Sequence, residues 1–170
     1  MGNINLIMPM AGGGTRFKKE GIDIPKPLIE LNGKPFFFWA TQSIIKFVKI
    51  DELIFVVLKE HVEKYKIDRE ILKYYPNAKL KIIDQVLNGA VLTCLEGIEL
   101  IENPVLFNDC DHSFLCKTFY DFILKSKNDI DGAILTFTSN DPRFSYIEIN
   151  DLGNVIRTIE KKVISNKAIC

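Results

Sequence analysis

The chain alternates between two apolar patterns. Mainly apolar runs at residues 5–9, 53–58, 80–84, 104–108 and 132–138, continuous over 53–58, have the length and composition of strands. Between them, apolar positions recur every three or four residues, the period that gives a helix one buried stripe. That period predicts a helix over 35–48, where Phe37, Ala40, Ile44 and Val48 share a face. It predicts further helices over 61–74, ended by Pro76 and Asn77, over 89–101, with Leu92, Leu95 and Ile98 on one side, and over 118–125. Two last runs, 146–149 and 155–159, flank Asn150-Asp151-Leu152-Gly153-Asn154 and read as a hairpin with a glycine turn. Strands alternating with helices imply βαβ units, hence an α/β fold with a mostly parallel sheet and helices on both faces. The hairpin adds antiparallel pairing, so the sheet is mixed. No repeat or linker interrupts the pattern, and residues 1–170 read as a single domain.

Composition narrows the partners. Lys plus Arg and Asp plus Glu both number 22, so the net charge is zero. A general binder of nucleic acid or anionic membrane carries a basic excess, and neither partner is expected. The first ten residues lack the basic and apolar regions of a signal peptide, and no run approaches a membrane span. Cys94, Cys110, Cys116 and Cys170 form no CxxC and have no histidine at zinc-finger spacing, which fits reduced thiols in a cytoplasmic protein.

Candidate chemistry collects after the strands, where open α/β sheets bind ligands. The first strand runs into Met10-Ala11-Gly12-Gly13-Gly14-Thr15-Arg16, and Pro25-Lys26-Pro27-Leu28 follows. Glycines let backbone N–H groups approach a ligand, and successive N–H groups in such a turn form an anion nest. Arg16 adds a planar fork for phosphate oxygens, and Lys26 a compact charge between two stiff prolines. Together they suggest a polyphosphate cradle. It is neither a Walker A loop, which closes on Gly-Lys-Ser/Thr, nor GxGxxG, since Phe17 takes the last glycine position. After the fourth strand comes Asn108-Asp109-Cys110-Asp111-His112. A carboxylate at a strand tip facing a phosphate cradle suits Mg²⁺, which takes oxygen ligands and few carboxylates. His112 is read as a turn residue, because Mg²⁺ prefers oxygen.

AGGGTRF followed by PKPL resembles the signature of the sugar-phosphate nucleotidyltransferases, or nucleotide-sugar pyrophosphorylases, which carry AGxGTR, a spacer and PKxL. The resemblance runs along the chain and is nearest to the small bacterial members associated with capsule and surface-polysaccharide synthesis. It implies a Rossmann-like, GT-A-like fold. It also implies transfer of a nucleoside monophosphate from a triphosphate to a phosphorylated small-molecule acceptor, with Mg²⁺ as cofactor. By the same resemblance Met10 to Arg16 hold the nucleotide, and Arg16, Lys26 and Asp111 carry the chemistry. Asp111 holds the metal. Asp109 is a second ligand, a ribose contact or a cap. Gln85, Asn88 and Gly89 lie at the base, where Asn88 also reads as a helix N-cap. Glu160 and Lys161 resemble the pair that contacts the acceptor.

The nucleotide-binding half then covers about residues 1–115 and an acceptor-side part about 116–170. Family members continue further, into a segment with a second metal-binding aspartate, so the acceptor part is expected to be incomplete. Two rivals remain. Asp109-Cys110-Asp111 is a DxD, as in metal-dependent glycosyltransferases, although a diphosphate donor needs no triphosphate cradle. A nucleotide-binding domain without catalysis is the other. Within the branch it resembles, a pyrimidine nucleotide, CTP or UTP/dTTP, is favoured over ATP or GTP, and the acceptor is a sugar 1-phosphate or a smaller phosphorylated metabolite. The exact base and acceptor and any homo-oligomer stay open.

Overall fold

The computed structural model describes residues 4–99, 101, 104–126 and 129–169, except for the side chains of Thr15 and Arg16. The chain forms two compact units, residues 1–117 and 118–170.

In the first unit, four parallel strands form a sheet in the order β5-β4-β1-β6. These are β1 (Ile4–Met10), β4 (Ile50–Leu58), β5 (Lys79–Ile83) and β6 (Val105–Phe107). A small hairpin of β2 (Glu30–Leu31) and β3 (Lys34–Pro35) precedes β4. Counted within the large sheet alone, its strands run third, second, first, fourth. The order therefore reverses between β1 and β6, and a crevice opens beyond the carboxyl ends of those two strands.

Side-chain alternation sends the two faces of β4 to different layers. Ile54, Val56 and Leu58 join Ile7 and Ile83 on the face covered by α5 (Ala90–Ile98). On the other face Phe55 meets Phe37 edge-on, with ring centroids 5.8 Å apart, and the Thr41 hydroxyl lies 2.9 Å from the Met8 sulfur. Phe37 and Thr41 belong to α2 (Phe36–Ile45). The predicted stripe Phe37, Ala40, Ile44 and Val48 is fully buried.

Two expectations are corrected. The face that α5 turns to the sheet carries Thr93 and Gly97, whereas Leu92 and Leu95 are exposed. The reason is Gly97: a Cβ there would stand 2.9 Å from Ile7 Cγ2, so only glycine admits this approach. The helix predicted over 61–74 is two helices, α3 (Lys59–Tyr65) and α4 (Ile67–Tyr74), broken at Lys66 in a left-handed conformation, φ 55°. An unbroken helix would set His61 and Ile67 about 120° apart around its axis. The break lets both be buried.

The second unit has all of α6 (Lys117–Ser126) but its first residue, and an antiparallel sheet in the order β7-β10-β8-β9. Its strands are β7 (Thr136–Thr138), β8 (Tyr146–Ile149), β9 (Val155–Ile159) and β10 (Lys167–Ile169). The predicted hairpin is β8–β9. Asn150 Oδ1 accepts the N–H groups of Leu152 (3.1 Å) and Asn154 (2.9 Å), and Gly153 takes φ 82°. β10 was not predicted, and the strand expected over 132–138 shortens to its last three residues.

Candidate active site

Beyond Met10 the chain leaves the sheet through Ala11 and the three glycines into α1 (Thr15–Lys19). Gly14 has φ 64°, a conformation strained for other residues, and its carbonyl accepts the Lys18 N–H at 3.1 Å. Gly12 differs: its backbone needs no glycine, and a Cβ built there meets nothing within 4 Å. Neither strain nor packing within the chain calls for glycine at 12. The space before it is open cleft.

The facing loop follows β6. The Asn108 N–H donates to the Ile7 carbonyl at 3.2 Å, which ties this loop to β1. The Asn108 side chain is buried, and its Nδ2 donates to the carbonyls of Asp109 (3.1 Å) and His112 (2.9 Å). The His112 N–H closes back on the Asp109 carbonyl at 3.2 Å. His112 is thus a turn residue as well as a neighbour of the carboxylates. A buried amide, serving two carbonyls at once, folds residues 108–112 into a turn that presents Asp109 and Asp111.

Lys26 joins the two loops. It opens the 3-10 turn Lys26–Leu28 between buried Pro25 and buried Pro27. Its Nζ lies 2.6 Å from Asp111 Oδ2, with the side chains 33% and 25% exposed. The other carboxylate oxygen, Asp111 Oδ1, is buried without a hydrogen-bond partner among the described residues. A buried carboxylate oxygen without a partner is costly unless something meets it. One ligand atom each from Asp109, Asp111 and His112 lies within 4.8 Å of the others. Hard oxygen donors, one of them orphaned, fit Mg²⁺.

The third wall comes from the turn after β5 and the start of α5. Val86, Leu87, Gly89, Ala90 and Thr93 line a cleft of about 240 Å³ together with Met10, Gly12, Lys26 and Asp111. Gly89 takes φ 111°, ψ 158°, so glycine is required there. Gly89 is the N-cap of α5 and no side chain caps the helix, which corrects the reading of Asn88 as its cap. Gln85 and Asn88 are exposed on the same turn.

The thiols near the cleft are poor nucleophiles. Burial pushes Cys110 up to about 12, with Lys26 pulling the other way, and burial pushes Cys94 up to about 11.

No family model matches the chain. The 2-C-methyl-D-erythritol 4-phosphate cytidylyltransferase of Clostridium perfringens is 31% identical over 84 residues, 49% of this chain and 35% of that protein. The chain therefore matches about a third of that relative's length. The nucleoside-diphosphate-sugar pyrophosphorylase of Vibrio cholerae superposes with a TM-score of 0.71 at 20% identity, covering 96% of this chain and 70% of that one. A UDP-glucose pyrophosphorylase complexed with UDP-glucose gives 0.72 at 18% identity, covering 99% and 74%. The chain has the nucleotidyltransferase fold. Both comparisons support the resemblance to the sugar-phosphate nucleotidyltransferases.

On this nucleotidyltransferase fold, Met10, Ala11, Gly12, Gly14, Lys26, Gly89, Asp109 and Asp111 are gathered at one cleft. Gly13 lies in the same loop. The side chains of Thr15 and Arg16 lie outside the described residues. Pro9, Pro27, Val86, Leu87, Ala90, Thr93 and Cys110 also line the cleft and were not singled out as contacts. The available signal was the run of small residues, Gly89, Ala90 and Thr93, along one side of the first turn of α5. Glu160 and Lys161 belong to the second unit, in the turn after β9. Both are exposed and pair with each other at 2.7 Å, and Lys161 holds Glu160 below the usual carboxylate range. Among the described residues, no helix is long and apolar enough to cross a membrane.

Proposed function

We propose that this chain is a nucleotidyltransferase that moves a nucleoside monophosphate from a nucleoside triphosphate to a phosphorylated small molecule and releases pyrophosphate. The observation that carries the reading is the Lys26–Asp111 contact. A fixed cation and a carboxylate with one orphaned oxygen meet beside an open glycine loop, at the switch point of the sheet.

An oxygen of the acceptor phosphate attacks the α-phosphorus in line. A new P–O bond forms, the α–β bridging bond breaks, and its electron pair leaves with pyrophosphate. The acceptor oxygen is already anionic, so no general base is needed. Buried Cys110 and half-buried Cys94, both with thiols pushed up in pKa, agree with a route that uses no protein nucleophile. The loop amides at Gly12 to Gly14 and Arg16 grip the β- and γ-phosphates, and Lys26 offsets charge at the α-phosphate. Asp111, with Asp109 beside it, would hold Mg²⁺, which when bound neutralises phosphate charge. The rest of catalysis is positioning.

Val86 and Leu87 present an apolar wall for the base, and Gly89 lets it lie near the backbone. CTP and UTP or dTTP are the favoured donors, in keeping with a cytidylyltransferase relative and a UDP-glucose neighbour. The acceptor is a sugar 1-phosphate or a smaller phosphorylated metabolite, contacted by Glu160 and Lys161. The setting is cytoplasmic supply of precursors for capsule or surface polysaccharide. The test is pyrophosphate release from CTP, UTP, dTTP, ATP and GTP, each with Mg²⁺ and a panel of phosphorylated acceptors. Release with one pyrimidine nucleotide and one acceptor class is expected. Consumption of a nucleotide sugar with no pyrophosphate would replace the assignment by glycosyl transfer.

A further inference from the structure

The Lys26–Asp111 contact has a second role beyond supplying two charges. The ammonium, 2.6 Å from Asp111 Oδ2, already occupies the carboxylate that a divalent cation needs. It does so inside the cluster where Asp109, Asp111 and His112 bring ligand atoms within 4.8 Å of one another. Oδ1 is buried and has no hydrogen-bond partner among the described residues, so the carboxylate is held from one side only. A metal approaching Oδ1 would face the ammonium across a single carboxylate, and like charges at such a separation repel even at a high effective dielectric.

We infer that Lys26 is an internal cation that locks the metal site until a phosphate draws it away. This rests on the nucleotidyl-transfer reading for what opens the lock. A triphosphate in the glycine loop offers Lys26 a more highly charged partner than Asp111. When Lys26 turns to it, both Asp111 oxygens become free for the metal. Metal and triphosphate are then coupled: each improves the site for the other, and by linkage the effect is reciprocal. The lock also keeps the free protein from holding a bare divalent ion without its substrate. The buried prolines on either side of Lys26 fit this part, because they fix its backbone and leave only its flexible side chain to move.

The inference predicts a gain of binding on removing a cationic residue that catalysis needs. Mn²⁺ alone, titrated into the full chain and followed by electron paramagnetic resonance without any nucleotide, should bind Lys26→Met and Lys26→Gln about tenfold more tightly than the unaltered protein. Lys26→Arg, which keeps the charge, should show no gain. Adding Asp111→Asn to Lys26→Met should abolish it. Two neutral replacements guard against one that fails to fold, checked by circular dichroism melting. Equal or weaker Mn²⁺ binding by folded Lys26→Met and Lys26→Gln would overturn the lock, whatever the enzyme does with nucleotides. A gain in Mn²⁺ affinity in a protein that releases no pyrophosphate from any triphosphate would uphold the lock and remove the proposed activity instead.

Discussion

The two units bury their chains in opposite ways. In the first, β1 and the second half of β4 are covered on both faces, and nearly every side chain along them is inaccessible. In the second, β9 is exposed at four of its five positions, and the buried apolar residues among those described reduce to Tyr120, Ile123, Tyr146, Ile147 and Ala168. A parallel sheet clothed by helices fixes its strand ends, and loops carried there inherit that rigidity. An antiparallel sheet with one solvated face can carry contact residues but holds them less firmly. The cleft residues stand on the first kind of support, and Glu160 and Lys161 on the second. Placement of charge is thus most demanding where the sheet is most buried.

Substitutions at the cleft should show the largest effects. Lys26→Ala and Asp111→Ala should each lower steady-state pyrophosphate release by at least ~10²-fold, the scale of losing one preorganised charge contact. Rates near those of the unaltered protein would separate the buried sheet from the chemistry. The same contrast should appear without catalysis: amide exchange along β1 and β4 should be slower than along β9 by on the order of a hundredfold or more. Comparable protection would mean that the second unit is as firmly held as the first.

A smaller effect is expected from α5. Gly97→Val should cost about 1–3 kcal/mol in urea melts, because the added carbons meet Ile7 and Val56. An unchanged midpoint would show that α5 can lift from the sheet at no cost.

Cys110 gives a pH test within the first unit. Its thiol pKa is raised in the folded chain by burial, from an ordinary value of 9.0 to about 12. Below pH 9 the thiol is neutral in both states and its favourable burial is fully present. As pH rises from 9 towards 12 the unfolded chain ionises first and that stability is lost. The unaltered protein should therefore lose more stability over this window than Cys110→Ala, and parallel pH profiles would contradict the burial argument. The smallest change belongs to the second unit. Glu160→Gln removes an exposed ion pair and should leave the melting midpoint unaltered, while raising the acceptor KM if the pair meets the acceptor. A shift in the midpoint without a shift in KM would make the pair structural.

The parallel half of the fold is legible in the sequence because strands buried on both faces write themselves as continuous apolar runs, such as Leu53 to Leu58. Where burial is one-sided the signal fades. The first three residues of β4, Ile50 to Glu52, carry charge and were not counted as strand. The break at Lys66 needs knowledge of which layer His61 and Ile67 must both reach. β10 is three residues long and leans on β7 and β8 for its meaning. At the cleft, residues with strong chemistry declared themselves: the glycines, Lys26 and the aspartates. Val86, Ala90 and Thr93 did not, since their contribution is shape, and shape exists only once α5 is seated on the sheet. The contact between Lys26 and Asp111 was implicit in the strand order and in no local motif.

That strand order also sets a timetable for the chain as it is made. Asn5 of β1 pairs with Val105 of β6, about a hundred residues later, so the seam between these strands is the last of the sheet that a growing polypeptide can close. β1 can dock on β4 at half that length, leaving its glycine loop finished on one side and bare on the other. Until Asp111 emerges from the ribosome there is no carboxylate for Lys26 to meet. The cleft can be completed on the growing chain only after the segments that form its other walls have been made.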